Sequence, residues 1–172
     1  FAPHQFAQPP VDNQEIQTLT AHIEEAEAEL LLNPLNAANQ IHLGNLYYDL
    51  GSSRNNGGNA QGAHSDWKRA IRHYEQARSS GGASPDVLTD LGTMYFRTDQ
   101  AEKAVAAYEE AISANPRHLN AWMNMGVAKR QSLGDNEGAT AAWKRYLEID
   151  PNSADASRVR TWLQQMGAEF PD

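Results

Sequence analysis

The chain has 172 residues, 14 Lys and Arg against 22 Asp and Glu, a formal net charge of −8 and no cysteine, a set that excludes disulfides, thiolate catalysis, thiolate zinc sites and thioether haem attachment. Its length suits one domain or one short array of repeats, and no apolar run approaches the ~18 residues that cross a bilayer. Residues 1 to 53 hold Asp12, Glu15, Glu24, Glu25, Glu27, Glu29 and Asp49 but no Lys or Arg, so a basic protein surface, or a basic patch on another copy, is a better electrostatic partner than nucleic acid.

Residues 1 to 11 form a Pro- and Gln-rich arm that cannot be helical through Pro9-Pro10. The chain opens on Phe1 without a charged-then-apolar leader, which suits a mature exported protein, periplasmic or extracellular; a cytoplasmic location is the alternative. Asp12 with Glu15 matches a capping box, and Ile16, Leu19, Ile23, Ala26 and Leu30 keep a helical stripe to Asn33-Pro34. A helix is expected over 12 to 33, acting as a cap.

Three units of roughly 34 residues follow. In the first, 37 to 84, Leu43-Gly44-x-x-Tyr47 is answered by Ala70-x-x-x-Tyr74-x-x-Ala77. It carries about 14 extra residues, 52 to 65, whose Gly, Asn and Ser density suggests a flexible coil projecting from one edge. The second, 85 to 118, pairs Leu91-Gly92-x-x-Tyr95 with Ala104-x-x-x-Tyr108-x-x-Ala111; Ser84 is expected to cap it, with Pro85 in the first helical place. The third, 119 to 153, pairs Trp122-x-x-Met125-Gly126 with Ala139-x-x-x-Trp143-x-x-Tyr146. Ser153 should then cap a last helix, 154 to 167, carrying Val159, Trp162, Leu163 and Met166 and ended by Gly167, before a tail over 168 to 172.

The spacing has a steric reason. Two antiparallel helices approach closely where one lacks a side chain, so Gly44, Gly92 and Gly126 should receive Tyr74, Tyr108 and Trp143, with alanines between the large groups. This pattern resembles the tetratricopeptide repeat family, including its bacterial scaffold and assembly-factor members. The resemblance implies an all-α, right-handed helical solenoid of about three helix-turn-helix repeats between terminal capping helices, covering residues 12 to 167.

It also implies a concave groove lined by the first helix of each repeat, which holds a peptide or partner protein. Carried over, the lining residues are Ile41, Asn45, Tyr48 and Asp49; Asp90, Thr93, Phe96 and Arg97; and Met123, Asn124, Val127, Arg130 and Gln131. The family's clamp for a terminal carboxylate is met only by Asn45, since Ile41, Asp90, Met123 and Val127 replace its other positions, so a chaperone C-terminus is a poor ligand candidate.

No nucleophile elbow, Walker loop, dinucleotide fingerprint or His-Glu-x-x-His motif is present, and the six histidines show no metal-ligand spacing. The expectation is a protein-binding scaffold without catalysis, cofactor or metal. The alternative is self-assembly into head-to-tail oligomers or filaments, using Phe1, Phe6 and Pro9 of the arm and pairing acidic Glu24 and Glu25 with Arg158 and Arg160 at the other end.

Overall fold

A computed structural model describes residues 13 to 168, and all the regular structure among them is helical. The expected all-α helical-repeat class is the one observed. The arm's Phe1, Phe6 and Pro9, the Asp12 cap and the last four residues lie outside the described residues.

The chain divides into two compact units, the first ending at Gly82 and the second starting at Ala83. In the first, α1 (Asn13–Leu32), α2 (Ala37–Asn56) and α3 (Ala60–Ser79) pack in sequence. A turn at 33 to 36 ends α1, and Asn36 opens α2 by accepting a hydrogen bond from the Asn39 amide at 3.1 Å. Ile23 and Ala26 are the fully buried residues of α1.

The expected coil over 52 to 65 is corrected by this structure. Residues 52 to 56 continue α2, residues 60 to 65 begin α3, and only 57 to 59 turn, with Gly58 at φ 81° and the Asn59 side chain capping the Gly62 amide at 2.9 Å. Each helix therefore runs 20 residues, about 30 Å. Tertiary contact overrides the local composition. Seven residues beyond Gly44 stands Gly51, and seven before Tyr74 stands Trp67, so the antiparallel pair repeats its notch one layer further out. A Cβ at Gly51 would collide with the Trp67 indole, Ala63 is wholly buried, and Arg54 pairs with the buried Asp66 at 2.6 Å.

The second unit comprises α4 (Pro85–Arg97), α5 (Ala101–Ala114), α6 (Leu119–Ser132), α7 (Asn136–Ile149) and α8 (Ala156–Gln165). Ser84 caps α4 as expected, its hydroxyl accepting from the Val87 amide at 3.2 Å with Pro85 following. The cap of α8 differs from expectation. Asp155, not Ser153, precedes the helix, and the Ser153 hydroxyl lies instead 2.8 Å from the Tyr146 hydroxyl and 3.1 Å from the Asp150 carbonyl.

The notches dominate both units. A Cβ on Gly44 would lie 2.6 Å from Tyr74 Cε1, one on Gly92 would lie 2.6 Å from Tyr108 Cε1, and one on Gly126 would overlap the Trp143 indole. All three rings are about 1 % exposed. Burying side chains of this size contributes roughly 1.5–3 kcal/mol each, more than the helix-propensity penalty of about 1 kcal/mol for each glycine. The chain ends in a cluster of Trp143, Tyr146, Leu147, Val159 and Leu163, against which Trp162 and Met166 pack.

Candidate functional site

In the two hairpins whose notch ring is a tyrosine, the residue after the notch glycine stands beside the ring's hydroxyl. In the first unit, the Tyr74 hydroxyl donates to Asn45 Oδ1 at 2.7 Å. Asn45 and Asp49 are exposed and Tyr48 is half-buried, so these three expected residues do lie on the accessible part of α2. Although the residue is exposed, partial desolvation of its carboxyl, followed by the nearby Glu15 charge, raises Asp49 above its usual pKa.

The second unit extends the same arrangement into a chain of hydrogen bonds. The Thr93 hydroxyl donates to the Thr89 carbonyl at 3.0 Å, leaving its lone pairs to accept. Asn124 Nδ2 donates to it from α6 at 3.3 Å, and the Tyr108 hydroxyl stands at 3.3 Å, donating by elimination. A notch ring, the first helix of one repeat and the first helix of the next are thus tied at one polar point.

Around that point the expected residues differ in access. Asp90, Thr93, Phe96, Asn124, Val127 and Arg130 are half-buried, while Arg97 and Gln131 are exposed. Met123 and Val127 also pack against the terminal cluster, and Arg130 holds its guanidinium 5.9 Å from the Trp143 ring centre. Arg130 further lines a cavity of about 600 Å³ shared with Thr140 and Lys144 of α7 and Met166 past the end of α8. Sequence reasoning missed this cavity's α7 and α8 walls. Lys144 lies fourteen residues from Arg130, and nothing in that spacing ties the two together.

Of the residues expected to drive self-assembly, Glu24 and Glu25 belong to the first unit and Arg158 and Arg160 to the second. Glu24 and Glu25 are exposed on α1. Arg158 is already paired with Asp155 at 2.8 Å and lies 5.2 Å from the Trp162 ring centre, while Arg160 donates to the Pro151 carbonyl at 3.0 Å.

Among the histidines, His118 Nε2 sits 3.2 Å from Asp86 Oδ1 and 3.4 Å from the Thr89 hydroxyl, tying the start of α6 to α4. His73 Nδ1 lies 2.8 Å from Gln40 Oε1. Burial, then the Arg72 charge, lowers the His73 pKa and keeps its imidazole neutral at pH 7. Among the described residues no three His, Asp or Glu side chains converge in a way that could hold a metal ion.

Residues 89–154 match the family model described as tetratricopeptide repeat. The heat-shock protein cognate co-chaperone sgt12 of Aspergillus fumigatus is 32 % identical over 103 residues, which cover 60 % of this chain and 30 % of the co-chaperone. The chain thus spans under a third of that relative's length. The photosystem I assembly protein Ycf3 of Synechococcus sp. (strain CC9311) is 24 % identical over 161 residues, covering 86 % of this chain and 88 % of Ycf3. The crystal structure of MamA superposes with a TM-score of 0.68 at 19 % identity, covering 88 % of this chain and 80 % of MamA.

Proposed function

Taking as premise that the chain is a tetratricopeptide-repeat protein, we propose that it is a non-catalytic scaffold that binds a peptide or a partner protein along the exposed faces of the first helices of its repeats. The observation that carries this reading is the fixed polar point at Thr93, where Tyr108 and Asn124 converge. Side chains whose hydrogen bonds are already made lose little freedom on binding, so α4 and α6 offer a preorganised floor. Half-exposed Phe96 and Val127 supply apolar contact beside it, and exposed Arg97 and Gln131 supply polar groups. Relatives named as a co-chaperone and as an assembly protein support a role in handling other polypeptides.

The Arg130 and Lys144 cavity gives the ligand a preferred chemistry. Arg130 and Lys144 outnumber the one carboxylate there, Glu137, and beside Met166 they favour a segment that places a carboxylate next to an apolar side chain. Selection from a displayed peptide library, followed by calorimetry on the full chain, tests this. The winning peptides should carry Asp or Glu beside an apolar residue and lose affinity at least about tenfold on Arg130→Ala or Asn124→Ala, with helicity unchanged. Winners insensitive to both substitutions would refute the placement of the site.

A further inference from the structure

The first unit holds a second cavity, of about 590 Å³, that none of Asn45, Tyr48 and Asp49 lines. Glu24, Glu27, Ala28 and Leu31 of α1 form one wall, and Pro34 closes its end. Its floor is built from Gln40 of α2 and His73 of α3, and Gln40 is 6 % exposed. The Gln40 amide donates to the Pro34 carbonyl at 2.9 Å, so its oxygen faces His73 Nδ1 and that nitrogen carries the proton. His73 Nε2 is left as an acceptor. The ring is clamped further by Tyr47, stacked on it at 5.5 Å between centres, whose hydroxyl donates to Glu27 at 2.7 Å.

Beside this cavity the surface is unusually apolar. Leu31, Leu32 and Leu35 are 82 %, 88 % and 69 % exposed within five residues of chain, an amount of apolar surface that water covers poorly. Charge is divided across it. Glu24 and Glu27 line the cavity from α1, with Glu25 and Glu29 turned to a neighbouring face beside His22 and His42, whereas Arg69, 5.4 Å from the Tyr47 ring centre, and Arg72, close enough to act on His73, stand on α3. A ligand that met both walls would carry its cations toward α1 and its apolar side chains toward the floor.

We infer that this cavity docks a basic amphipathic helix of a partner protein, its leucine-like side chains entering between α1 and α3 and covering Leu31, Leu32 and Leu35 while Lys or Arg at its edge pairs with the α1 carboxylates. The walls are helices with no strand edge to offer, so a ligand cannot be held by added backbone pairing, and a helix brings its own backbone satisfied with its apolar groups on one stripe. Residues 1 to 12 contain no Lys or Arg and lack the cationic edge. In a second copy, Arg158 and Arg160 are already engaged within their own chain.

The test uses fluorescence anisotropy on the full chain with three labelled helical peptides of about five turns: one of Leu and Lys, one with its leucines replaced by Gln, and one with its lysines replaced by Glu. The Leu/Lys peptide should bind, and the other two should bind at least about tenfold more weakly. Ala28→Arg, an exposed helical position that fills the cavity mouth, should weaken binding at least about tenfold with circular dichroism unchanged. Glu24→Gln with Glu27→Gln should weaken it several-fold at low salt and less at high salt.

No binding at about 100 µM, or binding untouched by Ala28→Arg, overturns the inference. A Gln-substituted peptide that binds as tightly reduces the effect to bare charge and overturns it too. A dimer by light scattering that Leu31→Gln with Leu32→Gln dissolves would assign the face to a second copy. A tenfold gain in peptide affinity on deleting residues 1 to 12 would assign it to the chain's own start. Both results also overturn the inference.

Discussion

Gly92→Ala tests the packing rule on which the repeat rests, because the rule fixes the sign of its effect in two backgrounds. In the native chain the new Cβ would sit 2.6 Å from Tyr108 Cε1 and 2.8 Å from Cδ1, against the 3.4 Å at which ordinary contact begins. The ring cannot swing aside, being 1 % exposed with its hydroxyl held near Thr93. Overpacking of this kind costs about 1–3 kcal/mol, while alanine in a helix interior gains about 1 kcal/mol over glycine, leaving a net loss of about 1 kcal/mol. Tyr108→Val removes every ring atom beyond the γ position and by itself costs about 3 kcal/mol. In that background the same Gly92→Ala meets open space and should stabilise by about 1 kcal/mol. The coupling energy is then about 2 kcal/mol, and the sign of the alanine effect inverts. Urea unfolding in a Trp67→Phe background assigns the fluorescence to Trp122, Trp143 and Trp162, all in the unit that carries Gly92. Equal shifts in both backgrounds, of either sign, would refute the notch.

Gly51→Ala extends the test to the outer layer of the first hairpin: because its Cβ would strike Trp67, it should lower stability by about 1–2 kcal/mol, whereas a coil there would leave stability unchanged or raised. Asp66→Asn should be read against pH. Burial, only partly offset by the Arg54 charge and hydrogen bond, raises the Asp66 carboxyl in the folded state, so the folded chain holds that proton more tightly than the unfolded one. Its contribution is most favourable below the unfolded value of about 3.9, declines as pH rises through the raised folded value, and is flat above. The stability of Asp66→Asn minus that of the native chain, from urea midpoints, should therefore grow from pH 3 toward neutrality; a constant or shrinking difference would contradict it. Ser84→Ala removes the bond to the Val87 amide and should cost about 1 kcal/mol in thermal unfolding.

The inner notches were legible because spacing alone fixes them: Gly92 and Tyr108 meet wherever two helices of this length turn back on one another. Residues 52 to 65 were misjudged because their Gly, Asn and Ser content speaks for local preference, while the Gly51 to Trp67 notch, the buried Ala63 and the Arg54 to Asp66 pair across the two helices hold them helical. The sequence did contain the signal, in the seven-residue echo of Gly44 by Gly51 and of Tyr74 by Trp67. The Ser153 cap failed for a different reason. Its hydroxyl has a stronger tertiary use at Tyr146, and a cap motif cannot see that competitor. The accessible residues of α2, α4 and α6 followed from the resemblance, but the two cavities are assembled from residues such as Glu24 and His73, or Arg130 and Met166, whose separation along the chain leaves no local pattern.

The notch also sets the polarity of the surface above it. Tyr74 and Tyr108 each end in a hydroxyl that emerges beside the residue following the glycine, and those residues, Asn45 and Thr93, are hydrogen-bonding. In the third hairpin the ring is Trp143, whose Nε1 instead donates to the Met123 carbonyl at 3.1 Å, three residues before Gly126. No hydroxyl then needs a partner after the glycine, and that place is held by Val127. The change from Tyr to Trp in the core is thus answered by a change from polar to apolar on the outer face, which makes α6 at that level the apolar end of the second unit's accessible floor. Because the outer residue answers a buried ring, Asn45→Ala disturbs packing as well as the proposed binding face. Asn124, which reaches the Tyr108 ring through Thr93, and Arg130, whose guanidinium lies 5.9 Å from the Trp143 ring centre, separate the two effects more cleanly.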